Sequence, residues 1–148
     1  MAGGQFIIDA SVIVKWLHSD RENNLEQANH ILLLAERGEL TLFVSDITAH
    51  EVLNALICGK HLRGRDLEEA VENFFQLPII LVETNLHRAA AAATIAVEQN
   101  ITFYDAVYCA IAFERGIPLI TANSKHQRPM TGVNVIPLGE WLTLTSSF

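Results

Sequence analysis

The sequence predicts an α/β protein with a three-layer sandwich: a mostly parallel central sheet of four to five strands, flanked by helices. Two observations predict it. Short apolar runs of the kind that form buried strands alternate along the chain with longer stretches of helical periodicity. Half of the 148 residues are hydrophobic and 18% are charged, a composition that can fill a core between such layers. No linker rich in Gly, Pro and Ser and no internal repeat interrupts the alternation, so residues 1–148 read as a single domain.

Phe6-Ile7-Ile8 reads as the first buried strand and ends at Asp9. Val12, Ile13, Trp16 and Leu17 then follow helical spacing, so a short helix starts near Ser11. Asn24 to Arg37 is a second helix, with Leu25, Ala28, Ile31, Leu32 and Ala35 on one face and Gly38 as its stop. Leu42-Phe43-Val44 is the second strand, and Ser45 or Asp46 is placed to cap a helix from Ile47 to Ile57 that Gly59 ends. Arg65 to Phe75 reads as a helix that pairs with its predecessor in a projecting hairpin. A third strand at 78–82, helices over Leu86–Gln99 and Phe103–Arg115, a fourth strand at 118–121 and a fifth at 133–136 follow, with a short helix or turn near Glu140 to Leu142.

In an open parallel sheet the ligand crevice lies outside the carboxyl ends of the strands. That rule selects Asp9 after the first strand, Glu51 on the helix after the second, and Asp105 in the first turn of its helix. Thr121-Ala122-Asn123 follows the fourth strand. Glu51 is the least ordinary of these, because Ile47, Ala55 and Cys58 share its helical face and Asn54 adds a second polar group there. It also reads as a half-exposed acid at the edge of that face. Asp105 fits a capping box with Thr102, and Asp9 fits an Asx turn or a helix cap, unless Ser11 caps in its place. Three carboxylates brought within about 5 Å would repel by about 3 kcal/mol per pair at an effective dielectric near 20. Such a group persists when protonated or when it holds a cation. Hard oxygen donors without thiolate or imidazole favour Mg²⁺ or Mn²⁺, ions suited to phosphate chemistry.

Other chemistries lack their residues. The six histidines show no HxH or HExxH spacing, and there is no Gly-rich phosphate loop and no GxSxG elbow. A receiver domain would place its acceptor Asp after the third strand, where Glu83-Thr84-Asn85 stands. Cys58 and Cys109 form no CxxC pair and read as buried free thiols. No run spans a membrane and no signal pattern opens the chain, so a cytoplasmic protein is expected. The formal charge of −7 opposes broad nucleic-acid binding, although a carboxylate metal site itself contributes acids and a bound cation reverses the local sign.

Four segments in order resemble the PIN-domain ribonucleases, especially the VapC-type toxins of toxin–antitoxin pairs. They are Phe6 to Trp16, His50-Glu51-Val52-Leu53-Asn54-Ala55-Leu56, Thr102-Phe103-Tyr104-Asp105-Ala106, and Pro118-Leu119-Ile120-Thr121-Ala122-Asn123. The resemblance implies a PIN-like fold and Mg²⁺- or Mn²⁺-dependent cleavage of RNA, with Asp9, Glu51 and Asp105 as catalytic metal ligands. The family's fourth acidic position falls on Asn123, a weaker, neutral ligand. Ser11, Asn54 and Thr121 would orient the acids. A homodimer and a small antitoxin are the implied partners, and Lys60, Arg63, Arg65, Lys125 and Arg128 are either phosphate contacts or solvated charges. Asn123 also leaves open a catalytically weak PIN-like module that works mainly by binding protein.

Overall fold

A computed structural model describes residues 3–125, 127 and 130–145. Its strands β1 (Gly4–Ile8), β2 (Leu40–Ser45), β3 (Ile79–Val82), β4 (Leu119–Thr121) and β5 (Val135–Pro137) form one sheet in the order β3-β2-β1-β4-β5. Every pairing is parallel. The helices are α1 (Ala10–Leu17), α2 (Leu25–Glu36), α3 (Thr48–Asn54), α4 (Gly64–Phe74), α5 (Leu86–Gln99), α6 (Phe103–Arg115) and α7 (Trp141–Thr145). A π turn, Ala55–Gly59, prolongs α3, and a 3₁₀ turn, Leu138–Glu140, leads into α7. This is the α/β class that the alternation of short strands and helices predicts.

The inner strands are apolar on both faces because both faces are covered, while β3 at the edge leaves Ile80 and Leu81 exposed. Ile8, Leu42, Val44, Ile120 and Ile136 point into one layer with Val12, Ile13, Ile31, Val52, Phe74 and Trp141. Their strand neighbours Ile7, Phe43, Leu119 and Val135 point into the other, against Ala92, Ala106, Val107 and Ile111. The period of two thus divides one apolar run between two cores. The register aligns Ile7 with both Phe43 and Leu119, which makes β1 the middle of the sheet.

Helices α5 and α6 have the bounds expected from periodicity, and each has a side-chain cap: Asn85 accepts from the Arg88 N–H and Thr102 from that of Asp105. One local expectation is resolved and two are corrected. Of the two cap candidates before α3, Ser45 accepts the Ile47 N–H with its hydroxyl at 3.3 Å, whereas Asp46 turns away to accept from the Thr84 N–H and hydroxyl at 2.7 Å each. Helix α4 does not project as a hairpin; it contributes Ala70 and Phe74 to the core and packs on α1. Cys109 is buried as expected, but Cys58 is exposed, since the π turn carries it to the surface.

Candidate active site

The strand order reverses at the centre of the sheet. From β1 the chain runs outward to β2 and β3, then returns through α5 and α6 to place β4 on the opposite flank of β1. The crevice between the carboxyl ends of β1 and β4 is the topological switch point. Asp9 leaves β1 there and Thr121 ends β4 there. A cleft of about 180 Å³ opens at this point, lined by Asp9, Ser11, Glu51, Asp105, Tyr108 and Asn123.

Asp9 is only 5% exposed. Its extended backbone ends β1, and its carboxylate caps α1 by accepting the Ser11 N–H at 3.1 Å. The Ser11 hydroxyl donates to the same oxygen and accepts the Ala122 N–H at 2.9 Å, which joins α1 to the segment after β4. Thr121 donates its hydroxyl to the other carboxylate oxygen at 2.6 Å and accepts the Asn123 N–H at 3.0 Å. Three of the roughly four acceptor positions of the carboxylate are therefore filled, and one remains for the cleft. The capping role and the cleft-facing role belong to one side chain.

Glu51 is half-buried and held by a chain of hydroxyls. The Ser45 N–H donates to Thr48 Oγ1 at 3.1 Å, Thr48 lies 2.8 Å from Tyr108 Oη, and Tyr108 donates to Glu51 Oε1 at 2.7 Å. Tyr108 has one proton, and it goes to the carboxylate, so Thr48 is the donor to Tyr108. Asp105 lies one helical turn before Tyr108. Its carboxylate accepts from the Thr102 hydroxyl at 3.0 Å while its N–H donates back to that hydroxyl at 3.1 Å. Thr102 supplies the N-cap half of a capping box, and its hydroxyl, rather than its N–H, ties down the Asp105 carboxylate at the rim of the cleft. The carbonyl of Asp105 accepts from buried Gln127 at 3.0 Å, and Gln127 accepts in turn from Cys109 Sγ at 3.2 Å. Tyr108, Thr48 and Gln127 were not among the residues singled out from sequence. For Tyr108 a signal existed, a phenol three residues after Asp105 on an otherwise apolar face; Gln127 carried none.

The acids act on one another. Burial raises the Asp9 pKa to about 6, against the lowering effect of Ser11 and Thr121, and the charge of Asp105 adds to the rise. Burial also raises that of Glu51; the Tyr108 hydrogen bond opposes this, and Asp105 and Asp9 reinforce it. Burial pushes the Cys109 thiol up to about 11, with Asp105 and Asp9 contributing. Asn123 lines the cleft with them, whereas Asn54 lies in the adjoining depression with His50, Ala55 and Tyr104 and accepts from Cys58 Sγ at 3.3 Å.

The donor set suits a hard divalent ion. Among the described residues, no three Asp, Glu, His or Cys side chains close into a ready cage for a metal. Mg²⁺ does not need one, since it binds through one or two carboxylates and keeps several waters. A cleft of about 180 Å³ has room for an ion with water around it, at about 30 Å³ per water. Asp9 and Glu51, or Asp9 and Asp105, could hold it.

A family model described as PIN domain matches residues 6–129. The chain belongs to the PIN-domain family. Solved structures of similar fold include PAE2754 from Pyrobaculum aerophilum, 21% identical with a TM-score of 0.69, where the likeness covers 100% of this chain and 98% of that one. VapBC2 from Rickettsia felis, solved with a DNA fragment from its promoter, is 14% identical with a TM-score of 0.67 over 90% of this chain and 98% of that one. Mycobacterium tuberculosis VapC20, described as a sarcin-ricin loop cleaving toxin, is 15% identical with a TM-score of 0.61 over 79% of this chain and 87% of that one. No curated protein matches this PIN domain in sequence.

Proposed function

We propose that this PIN domain, read as one domain over residues 1–148, is a Mg²⁺- or Mn²⁺-dependent ribonuclease and the toxin of a toxin–antitoxin pair. The observation that carries the reading is the cleft at the switch point, which Asp9, Glu51 and Asp105 line together, close enough that the charge of Asp105 helps to raise the pKa of both other acids. Asp9, Glu51 and Asp105 are the ligands in this reading, with Asn123 as a weaker neutral donor. A bound ion supplies Lewis-acid polarisation of the phosphate and of the attacking water. The protein's own share is positional. Ser11 and Thr121 hold Asp9, Tyr108 holds Glu51 and Thr102 holds Asp105, so the acids face the cleft in fixed orientations.

Family membership supports nuclease chemistry, and VapC20 supports RNA as the substrate. An antitoxin partner is supported by solved neighbours described as a VapBC pair and as a toxin–antitoxin complex from Klebsiella pneumoniae. A homodimer and a cytoplasmic setting belong to the same reading. Among the described residues, no helix is long and apolar enough to cross a membrane.

The test is cleavage of a labelled single-stranded RNA. Wild type cuts with Mn²⁺ or Mg²⁺ and not with chelator, and Asp9→Asn loses ~100-fold or more in kcat/KM. Equal cleavage by both proteins would assign the activity to a contaminant. Asn123 favours a second reading, a catalytically weak module that binds protein, which predicts antitoxin binding without metal-dependent cleavage.

A further inference from the structure

The acidic cleft opens beside a second depression, of about 580 Å³, lined by His50, Glu51, Asn54, Ala55 and Tyr104. Glu51 belongs to both. Tyr104 stands one residue before Asp105 at the start of α6 and exposes 58% of its surface. His50 and Asn54 are exposed beside it, one on either side of Glu51 along α3.

Charge makes this aromatic ring more than an exposed residue. The chain carries −7, and many of its described cations are already engaged. Lys15 and Lys60 pair with Glu22, and Arg88 pairs with Glu114. Arg63 donates to the carbonyls of Ile57 and Leu62, and Arg115 lies over the Phe43 ring. A strand of phosphates gains little from such a surface. Stacking of a base on an aromatic face does not depend on net charge, and single-stranded nucleic acid uses it widely. Bases inside a duplex have no free face to offer.

We infer that the depression at Tyr104 is a base subsite: an unpaired nucleotide next to the phosphate in the acidic cleft stacks on the Tyr104 ring, with His50 and Asn54 beside its edge. The inference rests on the nuclease reading and deepens it, because it gives the base beside the bound phosphate a named contact, the Tyr104 ring.

The probe is a 12-nucleotide single-stranded RNA of mixed sequence with 2-aminopurine substituted in turn along its length, compared with the same RNA closed in a duplex. Binding is followed by anisotropy with Ca²⁺, stacking by loss of 2-aminopurine fluorescence, and cleavage with Mn²⁺. In wild type at least one position is quenched on binding and the duplex binds at least tenfold more weakly. Tyr104→Ala removes the quenching and weakens binding about tenfold, the weight of one base on one ring. Tyr104→Phe keeps the ring and recovers the quenching, and melting temperatures show that both variants fold. Unchanged quenching and affinity in Tyr104→Ala, or equal binding of the duplex, overturns the inference and leaves metal-dependent cleavage standing. Ring-dependent quenching without any Mn²⁺-dependent cleavage supports the subsite and overturns the nuclease reading.

Discussion

Asp9 closes the first turn of α1 and lines the cleft with the same carboxylate, and burial sets its titration. With a pKa of about 6 in the fold against an ordinary 3.8, it holds a proton between those values that the unfolded chain releases. Its contribution to stability is full below pH 3.8 and is lost as the pH rises through 6. At pH 8 without metal the buried charge is a cost, so Asp9→Asn is expected to raise stability by about 1–2 kcal/mol in thermal melts. Wild type regains that stability when Mn²⁺ is added at pH 8, and Asp9→Asn gains little; at pH 5, where Asp9 is protonated, the Mn²⁺ effect shrinks in wild type too. Tyr108 is the second residue with a sharp test. Tyr108→Phe keeps the buried ring but removes the donor to Glu51 and leaves Thr48 without its acceptor. About 1–2 kcal/mol of stability is expected to go, and Mn²⁺ affinity to fall about tenfold in calorimetric titration. An unchanged affinity would detach Tyr108 from the site.

Among the elements, the end of α1 depends on one acid outside the site. The Lys15 ammonium, buried on α1, meets Glu22 at 2.8 Å, the Asn23 carbonyl at 2.8 Å and the Asn23 side chain at 3.2 Å. The other Glu22 oxygen takes Lys60 at 3.0 Å, and Lys60 also donates to the Asp20 carbonyl. One carboxylate thus ties α1, the loop before α2 and the end of the π turn together. This assigns Lys60 a structural partner, and Arg128, another basic residue marked in the sequence, lies outside the described residues. Burial alone would raise the Glu22 pKa, but the hydrogen bonds and charges of Lys15 and Lys60 lower it. Its stabilisation is present above pH 4.5 and is lost as the pH falls. Glu22→Gln leaves a buried ammonium without its counter-charge, and a loss of about 2–4 kcal/mol is expected in urea unfolding at pH 7. Cleavage by the fraction that remains folded should be preserved.

For the whole molecule, the surface of α5 bears on assembly. Leu86 and Val97 are 87% and 83% exposed, and Ala90 and Ala93 are exposed between them at spacings of four, three and four. That stripe suits a second helix packed along it. In the dimer reading a second copy covers it. Wild type is then expected at twice its chain mass in light scattering, and Leu86→Glu combined with Val97→Glu at the monomer mass, with the fold intact by circular dichroism. A double variant that stays dimeric would place the contact elsewhere.

The sequence by itself determined the layers and the approximate sites of chemistry. Buried strands and amphipathic helices impose local periods of two and 3.6, which is why α5 and α6 were legible residue by residue and why β1, β2 and β4 were placed to within two residues. The crevice rule drew attention to Asp9, and the cost of a carboxylate on an apolar face drew attention to Glu51. Tertiary structure alone decided how these acids are held. Thr121 reaches Asp9 across 112 residues, Tyr108 reaches Glu51 across 57, and Gln127 supports the backbone of Asp105. Such hydrogen bonds have no period, because they depend on how strands and helices meet, and no local pattern encodes that meeting. The same reason explains why Asp9 and Asp105 could not be assigned to capping or to the cleft beforehand: a cap is local and a cleft is not, and the Asp9 carboxylate serves both while that of Asp105 lines the cleft held by the Thr102 hydroxyl.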